Sequence, residues 1–396
     1  MSSGGSPRSR SQARTSAIVV SSGVAGRPAA RARAGSRCWV DHCGRTSGYL
    51  AGAVPGGTGT TSTLAPATRA QVSIRPPSVT GAAGPTAWSS PLADVPCLPR
   101  LPQLIRLKYL TAVNRWTALP GAVVSLAQAT GGDLSGSLMW RELLREYQVT
   151  DIASAVYQDR FGCWGFLDLW RAGAPPFSGE DLGFLAGIAG PVTAALRQGV
   201  AGTFTQEGTG AAAADAAGDP PPAGPVVLLL SADLTVRAQT PQTQRYLRVL
   251  VPPEEGLAPV PAGAYNVAAQ LLATEAGADG HPPMARVHLA GGRWLTLRAA
   301  RMDTGPPGPP GGGASDIAVS IEPAAPGDRV AVFARACGLS RRETELLGHL
   351  VAGADTREVA RQMFVSPNTV QDHLKSVFAK TATRSRRALL ARALGG

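Results

Sequence analysis

The stretch that decides the fold lies between Leu339 and Leu394 and reads LSRRETELLGHLVAGADTREVARQMFVSPNTVQDHLKSVFAKTATRSRRALLARAL. Its polar and apolar spacing predicts four short helices. A side chain suited to cap a helix N-terminus precedes each of them, in chain order Ser340, Asp355, Ser366 and Ser385. Glu343 and Glu358 follow the first two caps by three residues, which is the spacing of a capping box. Pro367 takes the first position of the third helix, where its missing N–H costs nothing.

The third of these helices has one apolar side. Its apolar residues recur at the i, i+4, i+7 and i+8 positions that form a single stripe, and they are Val370, Leu374, Val377 and Phe378. Only Phe364–Ser366 separate this helix from the one before it. So short a connection is typical of a helix-turn-helix, whose second helix enters the major groove of DNA.

The polar side of the third helix carries Gln371, Asp372 and Lys375. Lys375 is suited to guanine N7 and O6 or to a phosphate, and Gln371 is suited to adenine N6 and N7. Asp372 would either accept a hydrogen bond from cytosine N4 or pair with a neighbouring cation. These three residues are therefore predicted to read bases.

Polar and basic residues at the helix ends and turns are predicted to contact DNA phosphates. They are Ser366, Asn368, Thr369, Lys380, Arg384 and Arg386. The alternative is that the basic members form an ordinary solvated surface. Residues 339–396 carry a net charge of +5, which favours a polyanionic partner.

The whole segment resembles the LuxR/NarL/GerE type of effector domain. The shared features include Leu339-Ser340, Val365-Ser366, Thr369-Val370 and His373-Leu374-Lys375. The resemblance implies binding to double-stranded DNA as a homodimer. The residues that it places against DNA are Gln371, Asp372 and Lys375, and those that it places in the dimer contact are Leu389, Leu390 and Leu394. Thr381 departs from the family, which usually has Leu there, and we expect looser packing of the third helix on the fourth.

Residues 88–198 have the order helix, hairpin, helix. Two aromatic-rich strands joined by a tight turn are predicted at Ile152–Tyr157 and Cys163–Trp170. A capping box of Ser178 and Asp181 opens a helix that is predicted to run to about Arg197. The phrase FGCWGFLDLWR followed by PPFSGEDLGFLAGIAG resembles the GAF-like sensor region of LuxR-type regulators.

Residues 199–224 form a Gly/Ala/Pro-rich linker, and residues 225–322 form a third block. The strands predicted in this block are Val226–Leu230, Thr235–Ala238, Ala285–Leu289, Arg293–Arg298 and Asp316–Ile321, with a helix around Gln242–Val251. That order resembles a PAS-like domain. Residues 323–338 contain an amphipathic connector helix over Asp328–Ala336, which leads into the segment 339–396.

Residues 1–87 are rich in Gly, Ser, Ala, Arg and Thr and have no sustained period, so they are predicted to be a disordered tail. Residues 1–100 carry a net charge of +9, against −3 for residues 101–338. The alternatives are an arm that binds DNA phosphates, or sequence translated from a wrong start or frame. The predicted fold class is multidomain, with α+β GAF-like and PAS-like domains before an all-α four-helix helix-turn-helix domain.

Several classes of protein find no support in the sequence. Cys38, His42 and Cys43 lie together but lack a second ligand pair, so neither a metal site nor a cofactor is predicted. A phosphate loop, a catalytic triad and a receiver-domain pattern are missing, and no enzyme is expected. The chain has no run of about 18 apolar residues for a membrane span. Ala17–Val20 is too short for the core of a signal peptide, so a cytoplasmic location is expected.

The predicted function is sequence-specific regulation of transcription, in which the third helix reads the major groove and the upstream domains sense an unknown signal. The expected partners are double-stranded DNA, a second copy of the chain, an unknown small-molecule or protein effector, and RNA polymerase. Two alternatives stay open. One is a scaffold whose helix-turn-helix binds protein, and the other is a sensor enzyme such as a cyclic-nucleotide hydrolase.

Overall fold

The computed structural model describes residues 97–205, 226–243, 262–288, 294–302 and 315–395, together with the backbone of four strands before residue 97. These strands are β1 (Arg14–Ser21), β2 (Trp39–Val40), β3 (Thr46–Ser47) and β4 (Ser78–Val79). They lie where the sequence predicts a disordered tail. The other residues of that predicted tail lie outside the described ranges.

The first folded unit is an antiparallel sheet with helices around it. Its elements are α1 (Leu101–Leu110), β5 (Val123–Ser125), α2 (Leu126–Ala129), α3 (Leu138–Glu142), β6 (Val149–Asp159), β7 (Gly162–Ala172) and α4 (Gly179–Thr203). The strand order is β1-β7-β6-β5. The predicted hairpin is confirmed as β6 and β7, which are longer than expected. The capping box of Ser178 and Asp181 is formed, and α4 continues beyond Arg197 to Thr203.

The second unit is a six-stranded antiparallel sheet. Its elements are β8 (Val226–Leu230), β9 (Val236–Gln239), α5 (Ala262–Glu275), β10 (Met284–His288), β11 (Trp294–Arg301) and β12 (Ile317–Pro323). The strand order is β4-β10-β11-β12-β8-β9. The five predicted strands are confirmed within a few residues. Most of the predicted helix Gln242–Val251 lies outside the described residues.

Helix α5 is the longest element that the sequence does not predict. Its sequence, AGAYNVAAQLLATE, is mostly small and apolar, and two residues of its short polar stripe, Asn266 and Gln270, are themselves buried. It therefore lacks the strong contrast between a polar and an apolar face that marks a surface helix. The structure explains this composition, because α5 packs on α1 from one side and on β11 from the other. One apolar core therefore runs through both units, from Leu104 and Trp170 to Leu228 and Val319.

Four helices close the chain, as the caps predict. A connector helix, α6 (Pro326–Ala336), leads through Gly338, whose φ of +67° favours glycine, into α7 (Arg341–Val351), α8 (Thr356–Gln362), α9 (Pro367–Thr381) and α10 (Arg386–Leu394). The capping box of Ser340 and Glu343 is formed. The second predicted capping box is only half formed. Asp355 accepts from the amides of Arg357 and Glu358, but the Glu358 carboxylate binds Arg361 and Gln362 instead of returning to the cap.

The last four helices share a core with the rest of the molecule. Leu346, Val359 and Leu374 are buried in the same apolar cluster as Phe204 of the first unit and Phe333 of α6. Helix α6 thus packs between the sheets and the terminal helices. None of the helices in the described ranges is long and apolar enough to cross a membrane.

Candidate nucleic-acid interface

Helix α9 presents opposite faces to the core and to solvent. Val370, Leu374 and Val377 are at most 3% exposed, so this stripe anchors the helix on α7 and α8. Gln371 and Lys375 point away from that stripe and are exposed. The predicted core stripe of the helix is therefore confirmed, and the face opposite to it is free within the chain.

Asp372 and Lys375 meet on that exposed face. The Lys375 Nζ atom lies 3.2 Å from Asp372 Oδ1, and the two side chains are 78% and 73% exposed. The pair is therefore hydrated and stabilises the helix by only a few tenths of a kcal/mol, about the usual value for this spacing. In the absence of DNA, Asp372 thus pairs with a neighbouring cation, which is the second of the two roles that the sequence leaves open for it.

The N-terminus of α9 is open to solvent. Ser366 caps it by accepting from the Thr369 amide at 3.1 Å, and the two hydroxyls are 2.9 Å apart. Ser366 and Asn368 are exposed and Thr369 is half-buried. Amide groups and the positive end of the helix dipole therefore face outward beside the polar face of α9, which suits an anion such as a phosphate.

Lys380 is engaged inside the domain. Its Nζ lies 2.8 and 2.6 Å from the two carboxylate oxygens of Glu343, and the Ser376 hydroxyl donates to the same carboxylate at 2.6 Å. Burial raises the pKa of Glu343, but hydrogen bonds from Lys380, Ser376 and Ser340 lower it more, to about 2. Glu343 is only 4% exposed. Lys380 thus already neutralises a buried charge, and its predicted role at a DNA phosphate would compete with that pair.

The two predicted arginines differ in their contacts. Arg384 is exposed in the turn before α10. Arg386 is half-buried and donates to the hydroxyl of Thr356 at 2.6 Å, which joins α10 to the start of α8. Arg384 therefore has its whole guanidinium exposed to a phosphate, whereas Arg386 uses one Nη donor within the chain.

The predicted dimer contact on α10 needs one correction. Leu389 is fully buried in the core of its own chain, because the register of α10 turns it toward the other helices. Leu390 is half-buried and Leu394 is 36% exposed. Of the three leucines, only these two offer surface to a second molecule.

Sequence reasoning missed one feature of this region. Phe364, in the turn between α8 and α9, is 94% exposed and has a φ of +58°. A large apolar side chain in the left-handed region has a strained backbone and exposes apolar surface to water. The sequence signal for this feature was an aromatic residue in the turn between the two helices. Thr381, the position that departs from the family, is buried; its hydroxyl donates to the Val377 carbonyl at 2.8 Å and lies 2.9 Å from the Thr383 hydroxyl. These hydrogen bonds take the place of apolar packing at that position.

Residues 338–393 match the family described as bacterial regulatory proteins, luxR family. The C-terminal segment is thus a LuxR-type helix-turn-helix DNA-binding domain. The match covers the four terminal helices and not the two sheets.

Curated relatives match within the same segment. The CsgBAC operon transcriptional regulatory protein of Escherichia coli is 46% identical over 48 residues, which is 12% of this chain and 22% of that protein. The monoamine regulon transcriptional regulator of Klebsiella aerogenes is 39% identical over 54 residues, which is 14% of this chain and 24% of that protein. The chain therefore spans less than a quarter of the length of these relatives.

Two solved structures have low similarity over a longer part of the chain. The phage VqmA–DPO complex is 17% identical with a TM-score of 0.20, over 46% of this chain and 85% of that one. The VqmA dimer of Vibrio cholerae is 15% identical with a TM-score of 0.15, over 44% of this chain and 84% of that one. Scores this low define no shared fold for the upstream units.

Proposed function

We propose that this protein is a sequence-specific, DNA-binding regulator of transcription whose helix α9 reads the major groove. The observation that carries the proposal is the pair of faces of α9. One face is buried against α7 and α8, and the other exposes Gln371, Asp372 and Lys375 beside an open helix N-terminus. An α-helix supported in this way fits the width of the major groove.

The polar face and the surrounding cations divide the work of recognition. Gln371 pairs with adenine and Lys375 with guanine, while Ser366, Asn368, Thr369 and Arg384 hold the phosphates. Binding begins with the exchange of the Asp372–Lys375 pair for contacts to DNA. The exchange costs little because the pair is hydrated, and the freed Asp372 carboxylate then accepts from cytosine N4 or stays in water.

The upstream units supply the signal in this proposal. Leaving out β4 at one edge, the strands β8 to β12 are numbered 1 to 5 along the chain and lie in the sheet in the order 2-1-5-4-3, and we assign them to a PAS-like sensor. We assign the first unit to a GAF-like sensor. Their effector is a small molecule or a protein. The active form is a homodimer that uses Leu390 and Leu394, acts in the cytoplasm and contacts RNA polymerase.

The test is a selection of bound sequences from random duplex DNA by the full-length protein, followed by mobility shift on the selected site. We expect Lys375→Ala to lose about 1–3 kcal/mol of specific binding and to relax the preference at one base position. The matched control is Arg342→Ala, because Arg342 is also exposed and paired with an acidic residue three positions away, but lies on α7. Equal affinities of the wild type and Lys375→Ala would refute the assignment of α9.

Two further readouts separate this function from the scaffold alternative. The logarithm of the affinity should fall linearly with the logarithm of salt concentration, since phosphate contacts release counterions. Failure to enrich any sequence, together with binding that salt does not weaken, would favour a helix-turn-helix that binds protein.

A further inference from the structure

Helix α4 has one side packed on the first sheet and one side open to solvent. Leu185 and Ala189, four positions apart, are buried among apolar residues of β6 and β7 such as Tyr157 and Leu169. The opposite side carries six exposed residues, which are Gly183, Phe184, Gly187, Gly190, Pro191 and Ala195. These six follow the helical spacing of a single stripe and are called the outer face of α4.

The outer face carries no charge. Residues 182–196 read LGFLAGIAGPVTAAL, and their single polar side chain, Thr193, is buried and donates to the Ala189 carbonyl at 2.7 Å. Phe184 is 53% exposed. A helix that is apolar all round is normally covered on every side. We therefore expect α4 to have a second partner besides the sheet.

Three glycines on the outer face answer no steric need within the chain. Gly183, Gly187 and Gly190 lie inside the helix, and a Cβ added to any of them would meet nothing in the described part of the chain within 4 Å beyond the backbone of the helix itself. Each glycine nevertheless weakens a helix interior relative to alanine, and Pro191 also removes a backbone hydrogen bond. Two helices approach most closely where the side chains between them are smallest. The glycines are therefore suited to a partner helix that crosses α4 at short range.

The charges of the helix select a second copy of this chain as that partner. A twofold interface places one patch against itself, so an uncharged centre avoids opposing like charges. Glu180 and Gln198 are exposed near the two ends of α4 and, being five turns apart, lie on the side of the outer face. With two copies of α4 antiparallel, the carboxylate of each Glu180 lies beside the amide of the other Gln198, which can donate to it. The opposed helix dipoles also favour this arrangement.

We propose that two copies of this chain associate through the outer face of α4, with the two helices antiparallel and crossing at Gly187 and Gly190. These two glycines flank the middle of the face, between its two polar ends, so the closest approach falls where no side chain intervenes. The ring of Phe184 in each copy then lies level with Ala194 of the other copy, whose small side chain leaves room for it. The exposed ring of Phe184 is thereby removed from water on both sides of the interface.

The size of the face sets the strength of the association. From Glu180 to Gln198 the helix is a strip about 28 Å long and about 10 Å wide. One pair of such helices buries less than the about 800 Å² per partner of a typical stable complex, so we expect a dissociation constant in the micromolar range. This contact is separate from the one on α10 and does not depend on DNA. Its consequence, that two DNA-binding domains are held in one particle before they meet DNA, rests on the proposed function.

The experiment measures the oligomeric state of the full chain by sedimentation equilibrium without DNA, from nanomolar to high micromolar concentration. We expect a monomer–dimer equilibrium, and we expect Gly187→Gln to raise its dissociation constant at least about tenfold. Glutamine is a good helix former and has open space inside the chain, so the Tm of the monomer should not fall, but its side chain blocks the close approach of the helices. The matched control is Gly348→Gln in α7, another exposed helical glycine with open space, whose dissociation constant should equal that of the wild type.

Charges at position 198 test the direction of the helices. Gln198→Lys places a cation beside Glu180 of the other copy and should strengthen the dimer a few-fold at low salt. Gln198→Glu places a like charge there and should weaken the dimer to a similar extent. Parallel helices would bring position 198 next to its own counterpart, so both variants would weaken the dimer, and that result would overturn the antiparallel arrangement.

A chain that stays monomeric over the whole concentration range overturns the proposal, as do equal dissociation constants for the wild type and Gly187→Gln. If Gly187→Gln fails to fold, Phe184→Gln decides in its place, because it removes the exposed ring without adding bulk at the crossing and should also weaken the dimer. A dimer that only Leu394→Gln weakens lies on α10 and likewise overturns the proposal. Dimers through α4 without any selected DNA sequence would remove the proposed function alone. Specific DNA binding by a chain that is monomeric without DNA would remove the α4 dimer alone.

Discussion

Replacing Glu343 by glutamine tests how the terminal helices are held together. The folded domain lowers the pKa of this carboxyl from 4.5 to about 2, because Lys380, Ser376 and the Ser340 amide all donate to it. A change of that size corresponds to about 3 kcal/mol of stabilisation of the charged form at neutral pH. Glutamine keeps the shape and part of the hydrogen bonding, so about 3 kcal/mol is the upper limit of the loss.

The dependence on pH has a definite sign. The folded-state pKa is lower than the unfolded one, so the stabilisation from Glu343 is complete above about pH 5, where the carboxyl is ionised in both states. It decreases as the pH falls and is gone near pH 2, where the folded form also takes up a proton. The difference between wild type and Glu343→Gln should therefore be large at pH 7 and small near pH 2.

Hydrogen exchange measured by mass spectrometry suits this prediction. Tryptophan fluorescence would not report on the terminal helices, because none of the tryptophans lies in them. At pH 7, peptides from α7 and α9 of Glu343→Gln should lose up to about a hundredfold in protection, the equivalent of about 3 kcal/mol. The control is Glu345→Gln on the same helix, since Glu345 pairs with Arg342 at the surface and should cost less than about 0.5 kcal/mol. Equal losses in the two variants would refute the network around Glu343.

Two further substitutions test strain and buried charge. Phe364→Gly should raise Tm, because glycine adopts the left-handed conformation without the cost of about 1–2 kcal/mol that other residues have there. The control is Phe364→Ala, which keeps this strain. An equal rise in Tm for both variants would show that removal of the exposed apolar ring, and not relief of strain, is the cause. Lys108→Met should cost about 3–5 kcal/mol in urea unfolding, since Asp168, 2.9 Å away and 1% exposed, would lose its cation. Lys108→Met with Asp168→Asn should recover much of that loss, and a double variant as unstable as the single one would contradict the ion pair.

Features that depend on residues three or four apart are predictable from the sequence. The capping boxes at Ser178 and Ser340 and the stripe beginning at Val370 are examples, because their partners lie within one or two turns of the same helix. The β6–β7 hairpin belongs to the same class, since its strands are joined by a tight turn. The LuxR-type domain and the exposed polar face of α9 follow from such local signals.

Contacts between distant residues could not be predicted. The sequence predicts a phosphate contact for Lys380, but the fold brings this side chain to Glu343, which is 37 residues away in the chain. The family resemblance predicts that Leu389 lies in a dimer contact, but the structure buries it in the core of its own chain. Helix α5 has only a weak amphipathic pattern, because α1 covers one of its sides and β11 covers another, and these two contacts exist only in the tertiary structure.

The sequence by itself determined the helix-turn-helix, the hairpin and the positions of the strands of the second unit along the chain, because local backbone preferences and periodic burial specify such elements one at a time. Only the tertiary structure decided which charges are free. Lys108 and Asp168 are 60 residues apart in the chain, and nothing in the sequence marks them as partners. The fold brings their charged groups to 2.9 Å in the protein interior, where burial makes an unpaired charge costly.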